Sequence, residues 1–156
     1  MPAITLAKAL KLKNRLTGRL NQVQCDIQTY NSVLKEQANK VDVPALAKRR
    51  DEIQESLIGL KTRISVANAK IQENLIRMGE YKSKLAFLGS IHVRDGEERH
   101  GYQNTPIVWV AAITKADIDS EKLRLETTID RLQDEVDVYN HTATVEIPQS
   151  YLDLAS

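Results

Sequence analysis

The most constraining feature of this chain is a step of apolar residues that alternates between four and three. From Leu12 it runs through Leu16, Leu20, Val23, Ile27, Tyr30 and Leu34. This is the heptad seam of helices that pack knobs into holes. Arg15, Arg19, Asp26 and Lys35 fall between the seam positions and read as the wet face. Gly18 is a weak point inside that helix, costing about 1 kcal/mol against Ala, unless it admits a close neighbour. The helix fades near Asn39, because Pro44 disfavours a helical residue before it.

Pro44 itself suits the first turn of a second helix, where a missing N–H costs nothing. The seam resumes at Leu46 and continues through Ile53, Leu57, Leu60, Ile64, Ala67, Ile71, Leu75, Met78, Tyr81, Leu85 and Leu88. Over 44–88 this predicts a continuous or gently bent helix, with room for a kink or break near 68–79, where "NAKIQEN" and Gly79 lie. A third seam, Ile118, Leu125, Ile129, Leu132, Val136 and Tyr139, predicts a helix over about 117–140. Thr114, Asp117, Asp119 and Ser120 are its candidate caps.

Between the second and third helices the pattern stops. "RDGEERHGYQNTP", residues 94–106, has hardly a residue fit for a core, and 89–106 reads as a polar loop. "IVWVAAI" follows, where periodicity alone allows a buried strand or a buried helix entry; its β-branching and the preceding Pro106 favour the extended form, with "SIHV" before the loop as candidate hairpin partner. Residues 143–156 read as an extended tail. The expected fold is a single all-α domain over 1–156, an elongated antiparallel helical or coiled-coil bundle with helices at about 3–39, 44–88 and 117–140. A short β-like hairpin interrupts it near 90–113. Seams this rich in Leu and Ile are more often completed by copies of the same chain, so a homo-oligomer is expected.

Composition narrows the function classes. Only 4% of residues are aromatic and 28% are charged, which suits long helices with wet outer faces. Twenty-two basic residues meet 21 acidic ones, so no global field gathers nucleic acid or an anionic membrane. Two basic clusters, Lys8 to Arg19 on the first helix and Lys48 to Arg50 on the second, lack the aromatic platforms of a nucleic-acid surface. Asp51, Glu52 and Glu55 stand beside the second cluster to offset it. A lone cysteine, Cys25, fits a reducing compartment and a packing or flanking role. With no run of 18 apolar residues and no signal-peptide core, a cytoplasmic protein is expected.

Several stretches together resemble the DIP1984 family, small helical proteins of bacteria and their phages. "ITLAKALKLKNRLTGRL" is similar to the family's opening helix, and "LIGLKTRISVANAKI" to its recurring "L…RIN.TN" segment. "VAAITKADIDSEKLRLETTIDRLQDEV" resembles its last helix and "YNHTATVEI" its Asn-Trp-Thr ending. His141 stands where the family usually has Trp, and the charged loop between the middle helices is shorter here. The resemblance implies a helical, oligomeric fold and brings no catalytic residues.

Nothing in the chain shows a nucleophile elbow, a P-loop or a dinucleotide fingerprint, so no enzyme and no cofactor is expected. Asp95, Glu97, Glu98 and His100 are types that ligate metals, but on one polar loop they read first as solvated charge. Binding is the stronger functional reading. Arg94, Arg99, His100, Tyr102 and Asn104 crowd the loop, Trp109 lies just beyond, and Asn140 and His141 close the last helix. Guanidinium groups clamp phosphate, flat rings stack on a base, and amides read a base edge. The same composition also suits a solvent-exposed hairpin tip, with Trp109 in the core. Two functions stay open. One is a non-catalytic oligomer that captures a small anionic nucleotide-like ligand, in a phage setting a sponge for a host immune signal. The other is an adaptor coiled coil that grips another protein along a helix face.

Overall fold

The computed structural model describes every residue except Asn39, His100, Tyr102, Gln103 and Asn104. The protein is predominantly all-α, a helical bundle with a small β-hairpin. No helix is long and apolar enough to cross a membrane among the described residues. Packing divides the chain into two compact units, Met1–Lys70 with Val138–Ser156, and Ile71–Asp137.

In the first unit a short strand, β1 (Ala3–Thr5), leads into α1 (Leu6–Tyr30), where the Thr5 hydroxyl accepts the Lys8 amide at 3.3 Å. The second helix, α2 (Val43–Asn68), starts as the sequence predicts, with Pro44 in its first turn and the Asp42 carboxylate accepting the Ala45 amide at 2.9 Å. The two helices zip their seams together. Leu6, Ala9, Leu12 and Leu16 are buried against Ile53, Leu57, Leu60 and Ile64. The seam outruns its partner, however. Helix α1 stops at Tyr30, short of the expected 39, and Leu34 lies outside it at 70% exposure. Asn31, Ser32 and Val33 are weak helix formers, and the exposed Leu34 adds little packing to offset them.

The expected extended tail is instead part strand, part helix. Strand β4 (Thr144–Glu146) pairs antiparallel with β1, Ile4 opposite Val145, and buries Val145; Ile147 just beyond it is also buried. A last helix, labelled α5 (Gln149–Leu154), packs Tyr151, Leu152 and Leu154 on the core. Six residues are too few to form a stable helix alone, so this one exists through its docking. Tyr151 reaches α2 at Gly59, where an added Cβ would meet the tyrosine hydroxyl. The close neighbour belongs to Gly59, while Gly18 faces nothing within 4 Å.

The predicted helix over 44–88 is interrupted by a 3-10 turn at Ala69–Ile71, after which α3 (Gln72–Ser90) resumes. The Tyr139 hydroxyl donates to the Ala67 carbonyl at 2.8 Å, and a carbonyl that takes an outside donor is loosened from the α-helical ladder.

In the second unit α3 lies antiparallel to the first part of α4 (Lys115–Thr142). Asn74 donates to Glu135 at 2.9 Å near one end, and Lys84 pairs with Glu121 at 2.6 Å near the other. Leu88, Ile118 and Leu125 form a core, joined by Tyr81, Leu85, Ile91 and Val93. Of the four candidate caps, Thr114 serves. Its hydroxyl accepts the Asp117 amide at 3.1 Å, and the Asp117 carboxylate accepts the Thr114 amide at 3.0 Å. That bonding holds the Asp117 carboxyl below its ordinary value, the Thr114 side chain contributing most.

The hairpin joins β2 (Gly96–Glu98) to β3 (Ile107–Trp109), with Glu97 opposite Val108. Its first strand is therefore not "SIHV", because Ile91 and Val93 are drawn into the helical core. Gly96, at φ +96°, takes a backbone conformation open to glycine as the chain enters the strand. The run 107–113, expected to be buried, is largely exposed.

Candidate binding site

Ile91 leaves α3 in an extended conformation, and burial alternates along residues 91–94. Ile91 and Val93 pack on the helical core, while His92 and Arg94 are exposed beside the hairpin. The Arg94 guanidinium carbon lies 4.9 Å from the centre of the Trp109 ring, a cation–π contact. The Trp109 indole is oriented from its edge, because its Nε1–H donates to the Glu98 carboxylate across the hairpin at 2.8 Å. Glu98 thus acts as a tether for the ring, and Trp109, 38% exposed, is a surface platform rather than core.

This stack borders a cavity of about 650 Å³, lined also by Ile91, His92 and Val110 through Ile113. Its volume lies within the ~300–1,000 Å³ typical of small-molecule sites. None of the ion pairs among the described residues uses Arg94. Its fork of N–H donors is therefore not committed to a protein carboxylate. Among the described residues the lining offers one imidazole and no serine, threonine or cysteine. Cation, flat ring and apolar floor together suit a ligand with a planar group and a negative charge.

Arg94 and Trp109 are the two predicted site residues that the structure brings together. Arg99, just past β2, is exposed. His100, Tyr102 and Asn104 lie outside the described residues. Asn140 and His141 belong to the other compact unit, near the end of α4, where the Asn140 side-chain oxygen is buried without a hydrogen-bond partner. His92, Val110 and Ile113 line the cavity without having been among the expected site residues. The signal for His92 was its spacing of two from Arg94 in an extended stretch. For Val110 and Ile113 there was none, since periodicity does not report which face meets solvent.

Elsewhere, a cavity of about 410 Å³ lies between α2 and α5, where Arg49, Glu52, Ser56 and Asp153 mix both signs of charge. Arg49 pairs there with Glu52 at 3.8 Å and Arg50 with Asp51 at 2.9 Å, the offset expected for this basic cluster. Among the described residues no three or more His, Cys, Asp or Glu side chains group as metal ligands. Cys25 is exposed on α1. Comparison with protein families, with curated proteins and with solved structures finds no match for this chain.

Proposed function

We propose that this is a non-catalytic, self-associating binding protein, akin to the DIP1984 family, that captures a small anionic nucleotide-like ligand between Arg94 and the apolar floor at Ile113. The observation that carries the reading is Arg94 lying over Trp109 at the border of a cavity of ligand size. Arg94 supplies bidentate donors for phosphate, His92 a further polar contact, and the indole–guanidinium stack a flat surface for a base. Such a protein needs affinity and abundance but no chemistry, as a cytoplasmic sponge for a nucleotide signal would.

Trp109 is the only tryptophan in the chain, so its emission reports on the site directly. Titration with cyclic mononucleotides, cyclic dinucleotides and NAD-derived nucleotides should change that emission for one class. At about 100 times the dissociation constant the ligand stabilises the fold by roughly 2.7 kcal/mol, several degrees in melting temperature. Arg94→Ala should abolish both effects. If no class moves the emission or the melting temperature, the reading fails. An adaptor role draws on Ile76, Phe87 and Leu123, exposed apolar residues on α3 and α4. Under it, Arg94→Ala is silent and charges placed at those three positions disrupt partner binding.

A further inference from the structure

The segment from Ile107 to Ile113 is the least finished part of the surface. Val108 is 61% and Val110 85% exposed, with Ile107, Trp109 and Ile113 also open to solvent. Together these five residues expose on the order of 500 Å², shared between the two faces of the strand because its side chains alternate. The backbone is unfinished too. Strands β2 and β3 form a two-stranded sheet, so among the described residues the outer edge of β3 has no neighbouring strand. A two-stranded hairpin is marginal on its own, and an apolar edge free of Lys or Pro is a template for another strand.

We infer that a second copy of this chain occupies that edge, the two β3 strands pairing antiparallel about a two-fold axis. The inference rests on the self-association in the proposed function and names its surface. An edge of unpaired N–H and C=O groups is matched by another strand, and the identical strand is present wherever the chain is. Isologous pairing sets Val108 and Val110 of one copy against the same residues of its partner. A stable interface takes about 800 Å² from each partner. Val108 and Val110, on the face they share, supply the apolar centre of that area, and the flanking hairpin supplies the rim. That rim mixes Arg94 and Arg99 with Asp95, Glu97 and Glu98, so two copies do not meet as like charges. Because Val110 and Ile113 also line the cavity beside Arg94, the partner would close its open side.

Light scattering coupled to size exclusion, over a range of concentrations, tests this with the full chain. The native protein should have at least twice the single-chain mass. Val108→Lys with Val110→Lys should lower the mass by at least half with helix content unchanged, while Phe87→Lys with Leu123→Lys should leave it unchanged. A native protein that stays a single chain overturns the inference, as does a β3 double variant that keeps the native mass. The ligand reading fails separately. Assembly lost in the β3 variant and kept in Arg94→Ala supports the interface whatever the ligand, whereas ligand capture by a chain that stays single overturns the interface alone.

Discussion

Gly59→Ala separates two opposing effects in one helix. Alanine in place of glycine inside a helix is worth about 1 kcal/mol. At Gly59, however, the new Cβ would stand 2.1 Å from the Tyr151 hydroxyl oxygen and 3.2 Å from the ring carbon that bears it. Ordinary contact is about 3.5 Å or more, so the tyrosine has to retreat by more than an ångström. Tyr151 is carried on a six-residue helix whose hold on the core is Tyr151, Leu152 and Leu154. Overpacking of this kind costs about 1–3 kcal/mol. The cost exceeds the propensity gain, and the net is a loss of about 1 kcal/mol, or 2–4 °C in melting temperature for a chain of this length. Gly18→Ala in the same unit is the control, because its Cβ meets nothing and the full gain of about 1 kcal/mol should appear. In a Tyr151→Ala background Gly59→Ala should become stabilising, the signature of direct coupling. Thermal melts followed by far-UV circular dichroism read the native protein and all four variants. Should Gly59→Ala stabilise the native background as much as Gly18→Ala does, Tyr151 does not rest on Gly59 and the docking of α5 is wrong.

Two further outcomes follow from the second unit. Thr114→Ala should destabilise by about 1 kcal/mol through loss of the α4 cap and let the Asp117 carboxyl rise towards its ordinary value, with Thr114→Ser restoring both; melting and a carboxyl NMR titration read the pair, and an unmoved Asp117 would refute it. The hydrogen bonds from Arg124 and Lys84 hold the Glu121 carboxyl down to about 2, below its unfolded value of 4.5, so its contribution is fully present above pH 4.5 and lost as pH falls through about 2; the melting curves of the native protein and Glu121→Gln should converge towards pH 2, and a gap as wide there as at pH 6 would sink the assignment.

Most of the helical core is legible along the chain. Leu12, Leu16, Ile53, Leu57, Leu60, Ile64, Leu125, Ile129, Leu132 and Val136 are all seam positions and all buried. The start of α2 at Pro44 and the cap at Thr114 are equally local, since each depends on residues within one turn. Of the site, Arg94 and Trp109 stood out by type, because few other residues offer a bidentate cation or a large ring.

The sequence by itself determined which faces are apolar and where helices begin, because both follow from side chains three or four residues apart. Tertiary structure alone decided where α1 ends, why the middle helix breaks, that the tail folds back as a strand and a helix, and that Trp109 lies open beneath Arg94. The physical reason is one of range. Leu34 belongs to a good seam and yet is 70% exposed, while Tyr139 reaches Ala67 from 72 residues away. Periodicity states that a face needs a partner, and only the folded chain states which surface provides it.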